Sequence, residues 1–174
     1  MNTAALQGHP PPPSEGIYLS SRLPVRLGFP SAKDFNIVRD GQGIATDVVA
    51  CRNFLRISRM CRVSGQLVPY PCQRSRQMAP GVHIYDPRFF GLFRHSCYPN
   101  VFLDLSELWL WALIDIHPGD SLTMDYAATE GKLRCQFACG CGASCCRGWI
   151  YGFDETPNAE GQRFLQDWRK QGFR

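Results

Sequence analysis

The chain has 174 residues, 44% of them apolar and 12% aromatic, with 19 basic against 15 acidic side chains and a formal net charge of +4. That length and composition suit one compact domain with tails, and no apolar run reaches the ~18 residues that would span a bilayer. The mild charge gives no electrostatic footprint for nucleic acid, and the N-terminus lacks the basic-then-apolar layout of a secretory signal, so an intracellular protein (cytoplasmic or nuclear) without membrane or direct nucleic-acid partners is expected.

Residues 1–16 hold Pro10-Pro11-Pro12-Pro13 among small and polar neighbours, which predicts a disordered or extended lead-in. Residues 18–38 offer short apolar stretches broken by Pro24, Pro30 and Ser31, the pattern of short strands. Asp40-Gly41-Gln42-Gly43 marks a turn, and a plain hairpin is its local explanation. Residues 44–49 resume a strand. Residues 53–87 carry scattered arginines with Pro69, Pro71 and Pro80, and suggest loops with one or two short strands. Residues 101–105 and 107–114 are strand-like, and the second run is apolar enough to predict burial on both faces. His117-Pro118-Gly119-Asp120 predicts a turn, and residues 121–126 another strand. In the tail, Thr156 is placed to cap a helix and Pro157 suits its first turn. Phe164, Leu165 and Trp168 share one face before Gly172. The pattern is a mostly β domain with a short C-terminal helix.

Nine cysteines in a chain without a secretory signal favour metal binding over disulfides. Five fall in residues 135–146. Cys139, Cys141 and Cys146 give the spacing C-x-C-x4-C, and the glycines between them let a short loop wrap an ion. Thiolates in this arrangement suit Zn2+, which takes four ligands in a tetrahedron. For the fourth position the spacing leaves Cys135 and Cys145 nearby, and Cys97 and His95 at a distance. Reduced, unliganded thiols are the alternative.

The densest segment is Arg94-His95-Ser96-Cys97-Tyr98-Pro99-Asn100. Together with the run 115–126 and the cysteine cluster, it resembles the SET-domain protein-lysine methyltransferases that carry a post-SET zinc segment. The likeness covers approximately residues 38–151. Gly41-Gln42-Gly43 resembles the family's G-x-G. His95 to Asn100 matches six of the seven positions of N-H-S-C-x-P-N. Residues 115–126 resemble I-x-x-G-[DE]-x-L-T-x-D-Y, and Cys139-Gly140-Cys141-Gly142 with Cys146-Arg147-Gly148 resembles C-x-C-G…C-R-G.

The resemblance implies a fold of small curved sheets with a pseudoknot, in which the signature segment threads beneath a loop around the catalytic tyrosine. It divides the chain into a SET domain over 17–134, a post-SET zinc segment over 135–152 and a helical tail over 153–174. It supplies Cys97 as the fourth zinc ligand beside Cys139, Cys141 and Cys146, and makes Cys135 and Cys145 bystanders. It implies S-adenosylmethionine as cofactor, held by Gly41, Gly43, Arg94, His95 and Tyr151, and a lysine-bearing protein or peptide as substrate. Tyr126 becomes the catalytic residue, although by position alone it would be a core strand tyrosine. Arg94 stands where the family has asparagine. Its cation repels the cofactor's ammonium and suits its carboxylate. A catalytically inactive, zinc-stabilised binding module is the competing expectation.

Overall fold

The computed structural model describes residues 15–20 and 22–170. The proline run of the expected lead-in and the expected helix stop at Gly172 lie outside the described residues. Gly16 bridges Ser31, and Ile17 N donates to Pro30 O at 3.0 Å, so this stretch lies along the chain just ahead of the first strand.

β1 (Phe35–Arg39) and β2 (Ala45–Ala50) form an antiparallel hairpin. Its loop is organised by Asp40, whose carboxylate accepts from Gln42 N and Ile44 N, both at 2.9 Å. β3 (Arg59–Arg62) follows, then β4 (Gln66–Val68), β5 (Ser75–Ala79) and β6 (Val82–Tyr85), which make a sheet in the order β4-β6-β5. The stretch expected to be mostly loop therefore holds four strands. β7 (Arg94–His95), β8 (Val101–Asp104) and β9 (Trp109–Ala112) come next, and β3-β9-β8 is a second three-stranded sheet.

β9 is not buried on both faces. Leu110 and Ala112 point to the core, while Trp109 and Trp111 are only half-buried. The guanidinium of Arg59 lies 4.9 Å from Trp109 and 5.0 Å from Trp111, and that of Arg62 lies 5.0 Å from Trp109. Arginine stems and cation–π contact cover the indoles where a second apolar layer was expected. The turn at His117–Asp120 forms, with Asp120 N donating to His117 O at 3.1 Å.

The strand expected over 121–126 is cut to β10 (Thr123–Met124), and Tyr126 opens a helical turn, α1 (Tyr126–Thr129). Asp125 ends the strand because its carboxylate caps Ala127 N at 3.0 Å. β11 (Phe137–Ala138) and β12 (Trp149–Ile150) pair across the cysteine loop, and α2 (Ala159–Lys170) closes the described chain. The cap of α2 is Asn158, whose Oδ1 accepts from Gly161 N at 2.8 Å, and Thr156 instead offers its carbonyl to Gln136. α2 packs so tightly on the cysteine loop that a Cβ on Gly161 would meet Trp149 Nε1 at 2.2 Å. Glycine there is a condition of the docking.

The core is rich in phenylalanine. Phe35 stacks on Phe54 with centroids 5.2 Å apart, and Phe89 meets Phe35 at 4.9 Å and Phe93 at 5.2 Å, both edge-on. Asp86 is buried just before this cluster. Its carboxylate accepts from the backbone N–H groups of Arg88, Phe89 and Phe90 and from the Tyr18 hydroxyl. Those bonds fix the short helical turn Phe90–Leu92 and aim the chain into Phe93 and Arg94.

Candidate active site and metal centre

The signature segment is placed by a parallel pairing. β7 runs alongside β10, with Arg94 opposite Thr123 and His95 opposite Met124. Ser96 N donates to Met124 O at 3.0 Å. Asn100 then locks the crossing with its side chain. Its Oδ1 accepts from Thr123 N at 2.7 Å, and its Nδ2 donates to Ser121 O at 2.8 Å. The segment therefore lies beside the turn that carries Tyr126.

Cys97, Cys139, Cys141 and Cys146 converge, with their sulfur atoms all within 4.8 Å of one another. A zinc tetrahedron with Zn–S bonds of ~2.3 Å has sulfur–sulfur edges of ~3.8 Å, and Cys97 and Cys139 stand 3.9 Å apart. The donor set and spacing fit a structural zinc ion. Burial pushes the Cys139 thiol up and does the same to Cys146. At Cys141 burial also acts upward, but backbone donors from Cys97 and Ala143 with neighbouring thiols outweigh it and bring the group to about 6. Cys145 and Cys135 are exposed and outside the cluster, and the Cys145 thiol donates to Cys97 O at 3.5 Å.

A cavity of about 580 Å³ opens beside this centre. Its wall includes residues 44–46 of the β1–β2 hairpin, residues 71–76, residues 91–94, Tyr126, Glu130 and Phe137. Tyr126 lines it, with its hydroxyl donating to Phe93 O at 2.6 Å and its ring 6.2 Å from Phe137. Arg94 also lines the cavity; its side chain is 67% exposed and stands 3.5 Å from the Asp47 carboxylate. Of the cofactor residues named from sequence, only Arg94 contributes directly to the wall. Gly41 and Gly43 sit in the hairpin loop next to the lining residues, with open space around both and φ +79 at Gly43. Tyr151 is half-buried just after β12 and lies outside the lining.

The His95 side chain is 4% exposed and sits behind the wall. Its Nδ1 accepts from Tyr126 N at 3.3 Å, and its Nε2 lies 3.5 Å from Cys97 Sγ. Burial drives its pKa down to about 4, against the opposing pull of Asp125, so the ring is a neutral imidazole. Asp125 in turn receives Arg147 Nη2 from the cysteine loop. Sequence reasoning gave no role to Arg76 or Glu130, which are both buried and both line the cavity. Nothing in the sequence around Arg76 marks it, and Thr129-Glu130 stands out only as a likeness to small, compact members of the SET-domain family, with no role attached. Arg76 sits on a short strand and Glu130 just past a four-residue helix.

No family model matches the chain. A curated protein from Schizosaccharomyces pombe, the "Histone-lysine N-methyltransferase, H3 lysine-9 specific", is 34% identical over an alignment covering 34% of this chain. The chain spans 17% of that relative's length. Among solved structures, KRYPTONITE in complex with mCHG DNA and SAH superposes with a TM-score of 0.53 at 24% identity, over 67% of this chain and 29% of that one. KRYPTONITE with mCHH DNA, an H3(1-15) peptide and SAH gives a TM-score of 0.50 with the same coverage.

Proposed function

We propose that this chain, which has the SET-domain fold, is an S-adenosylmethionine-dependent protein-lysine N-methyltransferase that keeps its C-terminal segment in place with zinc. The observation that carries this is the Tyr126 phenol in the wall of the 580 Å³ cavity, beside the cysteine tetrahedron. The SAH bound to the solved neighbour and the activity named for the yeast relative support the same reading.

The cofactor supplies an activated methyl on a sulfonium. In the transfer the methyl C–S bond breaks and a C–N bond forms. Sulfur leaves as a neutral thioether, and the methylated nitrogen carries the charge. What remains for the protein is alignment, desolvation and a neutral nucleophile. A lysine amine with a pKa near ~10.4 is about one part in a thousand neutral at neutral pH, a cost of roughly 4 kcal/mol unless the site lowers it. Tyr126 is the group that meets the amine, its phenol oriented by the bond to Phe93 O. Arg94 is suited to the cofactor's carboxylate. Gly41 and Gly43 let the hairpin backbone approach. His95 holds the Tyr126 backbone from behind, and Tyr151, just after β12, is the aromatic residue proposed to lie along the cofactor.

A histone-like, lysine-bearing protein is the substrate class this favours, since the neighbour was solved with an H3 peptide. That neighbour also carried DNA, so the expectation of no nucleic-acid contact finds no support there. The test is labelled S-adenosylmethionine with a histone mixture, followed by mass spectrometry of the product. Transfer by the wild type and its loss in Tyr126→Phe is the expected result; no transfer, or equal transfer by the variant, sinks the proposal. Arg94 in the cavity wall keeps the inactive binding module as a second reading. Calorimetric titration of the wild type and Arg94→Asn with cofactor separates the two, because the module binds cofactor only after the substitution.

A further inference from the structure

Arg76 on β5 is 6% exposed, and no carboxylate among the described residues lies within ion-pair distance of it. Its Nε donates to Met124 Sδ at 3.2 Å and its Nη1 to Ser75 O at 2.7 Å. Its Nη2 makes a long contact of 3.5 Å with Phe93 O, the oxygen that also receives the Tyr126 hydroxyl. The guanidinium carbon stands 4.5 Å from the centroid of the Tyr126 ring. A buried cation without an ionic partner is costly, and a Met or Leu of similar length would fill the space without that cost. The cation–π contact and the shared carbonyl tie it to Tyr126 in particular.

Other charged groups stand around it without making an ion pair with it. Among the described residues, Glu130 is the one carboxylate lining the cavity. It accepts from Gln77 N at 3.1 Å; burial pushes its pKa up, while the Gln77 N–H and then the Arg76 cation pull it down. From β7 the His95 ring faces Tyr126 at 5.3 Å. Asp125 is turned toward Arg147. Arg74 on the same wall donates to Ala45 O at 2.9 Å, Arg94 lies beside Asp47, and Arg134 is exposed at the rim. Arg76 is the buried cation in direct contact with the Tyr126 ring.

We propose that Arg76 is a positioning residue that fixes the Tyr126 ring and, by like-charge repulsion, keeps the arriving lysine nitrogen in its neutral form. This rests on Tyr126 being the group that meets the amine. The cation acts in the same sense as the cofactor's sulfonium, but it is built into the wall.

The test is methyl transfer to an H3 tail peptide from about pH 6.5 to about pH 10, with lysine or the less basic γ-thialysine as acceptor. In Arg76→Met the rate should fall about tenfold at neutral pH and recover at alkaline pH, with the acid limb moved up by about one unit. γ-Thialysine should restore the variant at neutral pH, and Arg76→Lys, which keeps the charge, should keep the wild-type limb. A rate lowered equally at every pH, with an unmoved limb, overturns the inference while leaving the methyltransferase reading intact. Arg76→Gln carries the same comparison if the methionine variant does not fold. No transfer by the wild type at any pH overturns the function and this inference together.

Discussion

Replacing Asn100 with alanine tests how the signature segment is held. Its Oδ1 accepts from Thr123 N at 2.7 Å and from Thr123 Oγ1 at 3.2 Å, and its Nδ2 donates to Ser121 O at 2.8 Å. Each such bond contributes about 1 kcal/mol net, and the half-buried Thr123 N–H and Ser121 C=O left behind add desolvation cost. The expected loss is about 3 kcal/mol. For a domain of this size, each kcal/mol lowers Tm by about 2–4 °C, so a fall of roughly 6–12 °C is expected by calorimetry with zinc saturating. Backbone bonds from Asn100 N to Thr123 O and from Leu113 N to Asn100 O survive the change, so the fold itself should persist. Methyl transfer should fall further than stability alone explains, because Tyr126 sits three residues past Thr123. A Tm drop of less than about 2 °C would refute the claim that this side chain locks the crossing.

Two further perturbations probe the C-terminal segment. Cys97→Ser should lose bound zinc by elemental analysis and lose transfer with it, whereas Cys145→Ser should keep both; equal zinc retention in the two would remove Cys97 from the ligand set. Gly161→Ala puts a methyl into Trp149, so α2 should lift from the zinc loop at a cost of about 1–3 kcal/mol, seen as a lower urea midpoint and altered tryptophan emission; an unchanged midpoint would mean the helix is not docked as described.

Much of this was legible in the sequence where residues declare themselves locally. The hairpin loop at Asp40, the turn at His117–Asp120 and the amphipathic tail helix each depend on neighbours within a few residues. The four strands between 53 and 87 do not. They are three to five residues long, and two of the arginines among them end up covering tryptophans about fifty positions away. An apolar run such as 107–114 cannot declare that guanidinium groups will lie on one of its faces. The break at Asp125 was missed for a different reason. An aspartate at a strand end is also a helix cap, and the choice was settled by Ala127 N and by Arg147 across the cysteine loop. By spacing alone only three of the candidate zinc ligands were legible; the family resemblance added Cys97, which reaches the others through the β7–β10 pairing. Arg76 carried no signal and Glu130 no sign of a role, because their importance lies in what surrounds them.

The metal centre and the cavity are one mechanical unit. Cys97 Sγ contacts His95 Nε2 at 3.5 Å, His95 Nδ1 takes the N–H of Tyr126, and Asp125, the residue before it, takes the Arg147 guanidinium. Arg147 N closes the ring by donating back to Cys97 Sγ at 3.4 Å. The Arg147–Asp125 pair is partly exposed, with side chains 42% and 19% accessible, so its own contribution to stability is at most about 1 kcal/mol. Its consequence is geometric. Asp125 holds the first turn of α1 with the same oxygen that holds Arg147. Pulling the cysteine loop away would therefore release the cap under Tyr126 and the histidine behind it together. A zinc ion binding the four sulfurs fixes both ends of this ring at Cys97 and Cys146, which is why a structural metal outside the cavity would govern the placement of the phenol inside it.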